Sequence, residues 1–553
     1  MATVSYFPQS QINKENPIFS RARVTIKTPF YANHVHNVNS LREAYDLAKN
    51  SPGTIVTDVR IYEPEKLGLD PDSRVLLFND GAVTGRCAAA RRIVGSPDVN
   101  EDAYAAKLRE AIYYTRFKKM YHAQAYIGLH EDFMVKAHLL IPEGHENILY
   151  NWLLNFQPIN EQYVEMYKRS KVFSREGDIY VFSDPDWKHE EHPLGLTFFD
   201  SEHNCAAILG MRYFGEFKKG TLTLAWGCAN RNGFASCHGG QKRYNLQDGR
   251  KFVVGVFGLS GSGKSTITHA QHSGKYDITV LHDDAFVINA QNGSSVALEP
   301  SYFDKTADYP VDSPDNDYLL SVQNNAAIKD QDGRIVIVTE DIRNGNGRAI
   351  KSKLWSKNRV DKFDEPVNAI VWLMKDPTLP PVLKVTNSEL AATLGATLAT
   401  KRTSAERLAP GVDPDALVIE PYANPFRTYP LEKDYKRFRD LFEKKNVDCY
   451  IFNTGYFKWS KIPKEVTLES LEKIVEGTAQ FKQWECFDDF EIMEIEGFIP
   501  DFEDKEYKTQ FIERMKDRVA FLEQKNLAAG TLNTLPVEAL ESIRNVLKCI
   551  EEK

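Results

Sequence analysis

The 553-residue sequence lacks several features that would assign it at once to a broad class of protein. No apolar run approaches the roughly 18 residues of a membrane span, so no membrane partner is expected. The segment Met1–Tyr6 has no basic stretch before an apolar core, which argues against a secretory signal. The seven cysteines are scattered, without a Cys-x-x-Cys pair, which argues against structural zinc and favours a reducing cytoplasm.

The sequence also has no excess of basic charge. Lys and Arg number 69 against 77 Asp and Glu, for a net charge of −8, so no nucleic-acid partner is expected. We find no internal repeat and no low-complexity segment. The composition, 42% apolar and 26% charged, is that of an ordinary soluble globular protein. The length allows two or more domains.

What the sequence does contain is a glycine-rich loop directly after the apolar run Phe252–Phe257. The loop residues are Gly258, Leu259, Ser260, Gly261, Ser262, Gly263, Lys264, Ser265 and Thr266. A strand, a glycine loop ending in Gly-Lys-Ser and a helix form the order of a P-loop, whose backbone N–H groups converge on phosphate oxygens. Lys264 can reach the outer phosphates and the Ser265 hydroxyl can ligate Mg²⁺, so the loop predicts nucleoside triphosphate binding.

Strand-like and helix-like segments alternate along the chain, which predicts an α/β fold. The predicted strands are 75–78, 178–183, 220–226, 252–257, 278–281, 335–339, 369–374 and 449–452. The predicted helices are 103–117, 148–156 and the stretch from 505 onward. We place a domain boundary near 247–249. Residues 1–247 are then an N-terminal substrate-side α/β domain, and 248–553 a P-loop nucleotide-binding domain with a lid at about 398–424 and C-terminal helices.

Three further features carry titratable side chains. Asp283 and Asp284 end a predicted strand, where a nucleotide-binding fold needs a carboxylate for a metal ion. Lys218 and Lys219 precede another predicted strand, and His238 lies in a glycine-rich loop nineteen residues after Lys219. Alone, a lysine pair is usually a solvated edge and a lone histidine is more often structural than a ligand.

Together with the glycine loop, these features resemble the ATP-dependent phosphoenolpyruvate carboxykinases over roughly residues 80–550. The matching segments are Thr84-Gly-Arg86, Tyr213-Phe-Gly-Glu-Phe-Lys-Lys-Gly220, Ala235-Ser-Cys-His238, the glycine loop, Asp283-Asp284, Glu420-Pro421 and Asn453-Thr-Gly455. The spacing from Gly-Glu-x-Lys-Lys to the histidine is the most specific part. The resemblance implies a two-domain carboxykinase-like α/β fold, with a P-loop-containing mononucleotide-binding C-terminal domain.

The resemblance also implies roles for individual residues. Lys219, His238 and Asp284 would bind a Mn²⁺ ion between substrate and nucleotide. Ser265 would ligate the magnesium of ATP, and Lys264 would neutralise the transferred γ-phosphoryl group. A lysine that ligates a metal must be neutral, so the pKa of Lys219 would have to fall by roughly three units, or about 4 kcal/mol.

On the substrate side, the resemblance assigns Arg86 and Tyr213 to the carboxylated substrate. Lys218 joins Lys219 among the catalytic candidates. An arginine after the third strand of the nucleotide domain would bridge substrate and γ-phosphate; Arg343 is favoured over Arg348 because it directly continues that strand. The implied reaction converts oxaloacetate and ATP to phosphoenolpyruvate, CO₂ and ADP.

Four segments depart from the family pattern, namely Cys87–Ala90, Gly239–Lys242, Ala285–Ile288 and Lys458–Pro463. They favour a divergent member and leave two alternatives open. One is a kinase on the same scaffold that phosphorylates another small hydroxylated or carboxylated metabolite. The other is a nucleotide-binding regulator without catalysis. A monomer is expected.

Overall fold

The computed structural model describes residues 1–81, 87–259, 261–307, 309–340, 345–401, 417–527 and 532–553. The fold is mixed α/β, as the sequence predicts. The chain divides into two compact units, neither of which is continuous in sequence. The first unit consists of Met1–Cys228 and Ala297–Lys357, and the second of Ala229–Val296 and the described residues from Asn358 onward.

The helices are numbered in chain order: α1 (Arg21–Lys27), α2 (Leu41–Lys49), α3 (Cys87–Ala90), α4 (Glu101–Tyr114), α5 (Glu146–Asn155), α6 (Glu161–Arg169), α7 (Phe214–Arg231), α8 (Lys264–His269), α9 (Ser388–Ala396), α10 (Leu431–Lys445), α11 (Lys464–Glu476), α12 (Lys505–Leu527) and α13 (Val537–Glu552). Asn100, Asn160 and Asn387 cap the starts of α4, α6 and α9, because each side-chain oxygen accepts a backbone N–H of the first turn.

The strands are β1 (Val35–Val38), β2 (Ile55–Arg60), β3 (Arg74–Phe78), β4 (Arg91–Ile93), β5 (Met120–His130), β6 (Phe133–Pro142), β7 (Gln157–Pro158), β8 (Ile179–Asp184), β9 (Leu196–Asp200), β10 (Cys205–Leu209), β11 (Phe234–His238), β12 (Gly240–Asn245), β13 (Lys251–Phe257), β14 (Asp277–His282), β15 (Ala285–Asn289), β16 (Ser295–Ala297), β17 (Tyr302–Lys305), β18 (Leu319–Gln323), β19 (Ala326–Lys329), β20 (Ile335–Val338), β21 (Arg348–Lys351), β22 (Lys362–Phe363), β23 (Ala369–Met374), β24 (Val382–Val385), β25 (Ala399–Lys401), β26 (Leu417–Ile419), β27 (Asp448–Asn453), β28 (Tyr456–Phe457), β29 (Ser460–Lys461), β30 (Lys482–Trp484) and β31 (Phe487–Ile492).

The first unit is built on two sheets. One has the order β1-β5-β6-β8-β10-β9-β4, with β7 paired to β5, and the other the order β17-β21-β18-β3-β2. One face of the first sheet packs against α1 and α4 around buried Ile26, Leu108, Leu140, Phe182 and Phe198. This burial of apolar side chains is the main favourable term that holds the layers together.

The second unit contains the sheet that carries the glycine loop. Its order is β14-β12-β13-β23-β27-β24-β31-β30, and β13, β23 and β27 run parallel. Parallel strands place their carboxyl ends at one edge, and ligands of α/β folds bind at that edge. A smaller sheet, β11-β15-β16-β22, carries His238 at the end of β11.

The two units differ from the single domain boundary predicted near 247–249. Those residues form the connection of an antiparallel hairpin, because Gly240–Asn245 pairs with Lys251–Phe257. The division falls instead at 228/229, and residues 297–357 return to the first unit. A single boundary in the sequence cannot describe a chain that leaves the first unit and later returns to it.

Two predicted strands behave differently from expectation. Residues 220–226 lie inside helix α7, so the strand prediction there is wrong. Alternating Thr and Leu imitate a strand, but the Thr221 hydroxyl donates to the Phe217 carbonyl one helical turn earlier, at 2.8 Å, and accepts from the Trp152 ring N–H. The strand at 335–338 forms, but it pairs with β19 as a hairpin of the first unit and not with the glycine-loop strand.

A disulfide joins Cys486 to Cys549 in the second unit, with Cα atoms 6.2 Å apart. The scattered cysteines did not predict this bond. The other five cysteines, Cys87, Cys205, Cys228, Cys237 and Cys449, are not disulfide-bonded. None of the helices within the described ranges has the length and apolarity that crossing a membrane requires.

Candidate active site

The glycine loop follows β13 and leads into α8. Gly261 and Gly263 have φ values of +77° and +93°, in the left-handed region that glycine adopts without a steric cost. A Cβ atom at Gly258 would lie 2.2 Å from the Ser262 hydroxyl oxygen and 2.9 Å from the Leu373 Cβ. The backbone path therefore requires glycine at these positions. Ser260 lies outside the described residues.

The loop is supported by the residues that follow β27, a parallel strand separated from β13 by β23. The Thr454 hydroxyl donates to the Ser262 carbonyl at 2.8 Å, and the Ser262 N–H donates to the Leu259 carbonyl at 3.0 Å. Asn453 in turn donates to the carbonyls of Asp376, Leu379 and Tyr456. The segment Asn453-Thr-Gly455, noted in the sequence without a role, is thus a structural support for the loop.

Lys264 begins α8 and is half-buried, while Ser265 and Thr266 are exposed. The charge of Lys264 acts on Asp283, the first of the aspartate pair. Burial opposes ionisation of Asp283, but a hydrogen bond with His269 (3.1 Å) and the charges of His269, His282 and Lys264 hold its pKa below the ordinary value. Asp283 is therefore a carboxylate beside the glycine loop.

Asp284, the second of the pair, faces His238. Strands β11 and β15 pair antiparallel with His238 opposite Ala285, and the Gly239 N–H donates to the Asp284 carbonyl at 3.0 Å. This register brings Nε2 of His238 to 3.1 Å from Oδ1 of Asp284. Sheet pairing thus joins two residues that are 46 positions apart in the sequence.

The other ring nitrogen of His238 decides what can lie between these two atoms. Nδ1 lies 2.5 Å from the Ala423 carbonyl oxygen, and a carbonyl only accepts, so Nδ1 carries the hydrogen. In the neutral ring Nε2 then presents a lone pair to the Asp284 carboxylate. Two acceptors at 3.1 Å repel each other unless a proton or a metal ion lies between them.

Lys218 and Lys219 lie on α7 in the first unit, and both are buried. The Lys218 ammonium is 3.0 Å from Glu299, and both side chains are 0% exposed. Asn155 also donates to Glu299, at 2.6 Å. On the same helix, Glu216 accepts two hydrogen bonds from the guanidinium of Arg91, at 3.0 and 2.8 Å. Ion pairs therefore fix this helix, and sequence reasoning missed Arg91, Glu216 and Glu299.

Tyr213 precedes α7 and forms a second polar group in the first unit. Burial raises the pKa of Tyr213, while the charge of Arg348 and a side-chain hydrogen bond with it act in the opposite direction. Cys87 and Asp80 are also close enough to influence Tyr213. Of the two arginines weighed from the sequence, Arg348 is thus beside Tyr213, whereas Arg343 lies outside the described residues, as do Arg86 and most of the predicted lid.

The predicted site residues therefore fall into two groups. Lys218, Lys219 and Tyr213 belong to the first unit, and the glycine loop, His238 and Asp284 to the second. Within the second unit His238 and Asp284 are brought together. The grouping of Lys219 with them stays a prediction.

Comparison with known proteins identifies the family. The family model for phosphoenolpyruvate carboxykinase, in its ATP-dependent form, matches residues 64–503. The chain belongs to this family.

Three relatives named phosphoenolpyruvate carboxykinase (ATP) show how distant the resemblance is. The protein from Aeropyrum pernix is 29% identical over 290 residues, which cover 50% of this chain and 58% of that protein. The second carboxykinase of Salinibacter ruber is 22% identical over 462 residues, which cover 76% of this chain and 81% of that protein. The Dictyostelium discoideum protein is 23% identical over 214 residues, covering 35% and 36%. The chain thus spans little more than half of the Aeropyrum carboxykinase that it matches.

Proposed function

We propose that this chain converts oxaloacetate and ATP to phosphoenolpyruvate, CO₂ and ADP. The observation that carries the proposal is the pairing of His238 with Asp284 in the unit that also holds the glycine loop. A phosphate-binding loop alone would fit any nucleotide-dependent enzyme. A loop, a histidine–carboxylate pair and membership of the carboxykinase family together favour phosphoryl transfer coupled to decarboxylation.

The donor set at His238 and Asp284 fits a divalent cation, which we propose to be Mn²⁺. Ligand atoms about 2.1 Å from an ion and at right angles to each other lie about 3.0 Å apart. The observed separation is 3.1 Å, and in the neutral ring Nε2 would present its lone pair to the carboxylate. Imidazole and carboxylate ligands suit Mn²⁺, which would stabilise developing negative charge on the substrate. Lys219 is the proposed third ligand.

For the nucleotide, we propose that the backbone of residues 258–266 cradles the phosphates of ATP. Lys264 would neutralise the γ-phosphoryl group, and Ser265, which is exposed, would ligate Mg²⁺. The second unit would thus be the mononucleotide-binding domain. The hairpin of β25 and β26 would form the base of the predicted lid.

For the substrate, we propose that Tyr213 and Arg348 hold oxaloacetate with Arg86. The bond between the departing carboxylate and the adjacent carbon breaks, and CO₂ leaves. The electron pair of the broken bond stays with the substrate and forms an enolate. The enolate oxygen then attacks the γ-phosphorus, and the bond to the β-γ bridging oxygen breaks to release ADP. Arginine suits a substrate carboxylate because its planar fork donates two parallel hydrogen bonds. A monomeric state and a cytoplasmic location remain predictions from the sequence, and the disulfide between Cys486 and Cys549 argues against the reducing environment that the scattered cysteines indicated.

A turnover assay with purified protein, ATP and Mn²⁺ tests the proposal. Oxaloacetate should yield equal amounts of ADP and phosphoenolpyruvate. Lys264→Ala should lower kcat by about 10²–10³, the usual cost of removing one group that stabilises a transition-state charge. Lys251→Ala is the matched control, because Lys251 lies on β13 and its ammonium pairs with Glu365 at 2.6 Å. We expect the control to keep wild-type turnover.

Two outcomes would contradict the proposal. If Lys264→Ala turns over within a few-fold of wild type, the glycine loop does not bind the transferred phosphate. If oxaloacetate gives no product but another acid or alcohol in a panel releases ADP, the chain is a kinase for that compound.

A further inference from the structure

A histidine cluster lies outside the candidate active site, in the first unit. It occupies the loop 185–195 that connects β8 to β9. His189, Glu191 and His192 each offer one ligand atom there, and these atoms all lie within 4.8 Å of one another. No residue of this cluster has a role in the proposed carboxykinase reaction.

The loop backbone holds the cluster in a compact turn. The His192 N–H donates to the His189 carbonyl, and the Gly195 N–H donates to the His192 carbonyl, both at 3.0 Å. Because the three ligands lie within four consecutive residues, little further chain entropy is lost when one ion binds all three.

Aromatic rings restrain both imidazoles. The Trp187 ring stacks on His189, with centroids 5.4 Å apart and an interplanar angle of 19°, and lies 6.1 Å from the His192 ring. The ring of Tyr104, on α4, lies 5.9 Å from the His192 ring. Restrained imidazoles are preorganised ligands, because their orientation is set before an ion arrives.

His192 supplies an independent sign that a ligand belongs here. The residue is only 8% exposed, and its Nε2 has no hydrogen-bond partner within the part of the chain that the structure describes. A buried polar atom left without a hydrogen-bond partner carries a free-energy cost. Coordination would remove that cost.

Two interactions within the cluster oppose the binding of a cation. The Glu191 N–H donates to Nδ1 of His189 at 3.2 Å. Coordination of an ion by His189 breaks this hydrogen bond or changes the tautomer of the ring. Lys107 lies 2.8 Å from Oε2 of Glu191 and repels an incoming cation. Removing the Lys107 charge should therefore tighten binding.

We propose that His189, Glu191 and His192 form a binding site for a divalent late transition-metal ion, of the class Zn²⁺, Ni²⁺ and Cu²⁺. Two imidazoles and one carboxylate favour these ions over Mg²⁺ and Mn²⁺. The affinities should follow the order Mn²⁺ < Co²⁺ < Ni²⁺ < Cu²⁺. The site is distinct in composition from the His238–Asp284 pair, which we assign to Mn²⁺.

Titration of the full-length protein with Ni²⁺ tests the site, with tryptophan fluorescence and calorimetry as readouts. Paramagnetic Ni²⁺ at the cluster lies next to Trp187, one of seven tryptophans, so it should quench part of the emission. The background variant His238→Ala removes the competing site. In that background, His189→Ala and His192→Gln should each weaken Ni²⁺ binding at least tenfold and abolish the quench. His192→Gln keeps a polar side chain of similar length, so a folded protein is expected.

Further variants separate this site from adventitious binding. Trp187→Phe should remove the quench while calorimetry still detects the bound ion. Lys107→Ala should tighten binding. His36→Ala is the matched control, since His36 and Glu43 form an exposed histidine–carboxylate pair at 2.7 Å without a second imidazole. If the double variant His189→Ala, His192→Gln binds Ni²⁺ as tightly as the His238→Ala background, or if His36→Ala weakens binding equally, the proposal is overturned.

Discussion

The buried ion pair between Lys218 and Glu299 offers the sharpest test of how helix α7 is held. Both side chains are 0% exposed and 3.0 Å apart, and Asn155 donates to the same carboxylate. We consider the change Glu299→Gln, which keeps size and shape but removes the negative charge. The single amide oxygen of Gln can accept from Lys218 or from Asn155, and its NH₂ group faces the other donor.

The expected loss of stability follows from the Lys218 charge that Glu299→Gln leaves without a negative partner. Removing one partner of a buried pair costs about 3–5 kcal/mol, because the remaining charge is uncompensated in a medium of low polarity. This cost is a large part of the free energy of unfolding of a typical domain, which is roughly 5–15 kcal/mol. The double variant Lys218→Met, Glu299→Leu removes both charges at once, and such replacements are often neutral or stabilising. We therefore expect the double variant to recover most of the lost stability.

Urea unfolding followed by far-UV circular dichroism measures the effect. With an m-value of about 3 kcal/mol/M, the midpoint of Glu299→Gln should fall by about 1–1.7 M. Turnover of the double variant decides the role of Lys218, which the sequence places among the catalytic candidates. Because Lys218 is fully buried, we expect turnover to return with stability. A midpoint of Glu299→Gln that stays within about 0.3 M of wild type would refute the reasoning.

Two further predictions concern pH dependence and substrate binding. Burial, and then the charge of His138, lowers the pKa of His122 from 6.5 to about 3, so the native state holds this ring neutral while the unfolded chain gains a proton. The free energy of unfolding should therefore fall by up to about 4 kcal/mol as the pH drops from about 6.5 towards 3. His122→Gln should flatten this pH dependence when it is measured by urea unfolding at several pH values. Arg348→Lys should raise KM for oxaloacetate about tenfold and leave KM for ATP unchanged, since lysine cannot reproduce a bidentate contact; an effect on ATP alone would contradict the assignment of Arg348 to the substrate.

The features that the sequence predicts well are those whose cause is local. The strand at 252–257 and the glycine loop after it form as expected, because the apolar run and the glycine positions specify both within fifteen residues. The C-terminal helices α12 and α13 form for the same reason, since their apolar spacing is contained in the segment. Short-range pattern is sufficient where no distant residue decides the outcome.

Distant residues decide what the sequence misses. The alternating segment 220–226 lies in a helix whose apolar and threonine side chains there are all buried, so the hydrophobic period does not distinguish a helix from a strand. Glu299 lies 81 residues from Lys218, and no spacing rule joins them. Continuity with a strand favours Arg343, which lies outside the described residues and stays a prediction. Arg348 lies beside Tyr213, on the strand β21 that pairs with β17 and β18.

The carbonyl of Ala423 shows how such a distant contact can control chemistry. It fixes the tautomer of His238 from 185 residues away, and it follows the segment Glu420-Pro421 that the family resemblance singled out. Tyr422 and Ala423 both have φ of +52°, a left-handed conformation that costs a non-glycine residue roughly 1–2 kcal/mol. The Tyr422 hydroxyl donates to the Ala392 carbonyl at 3.0 Å and helps to hold this strained turn. Strain maintained beside a candidate metal ligand indicates that the position of the carbonyl matters, because it leaves the Nε2 lone pair of His238 directed at Asp284.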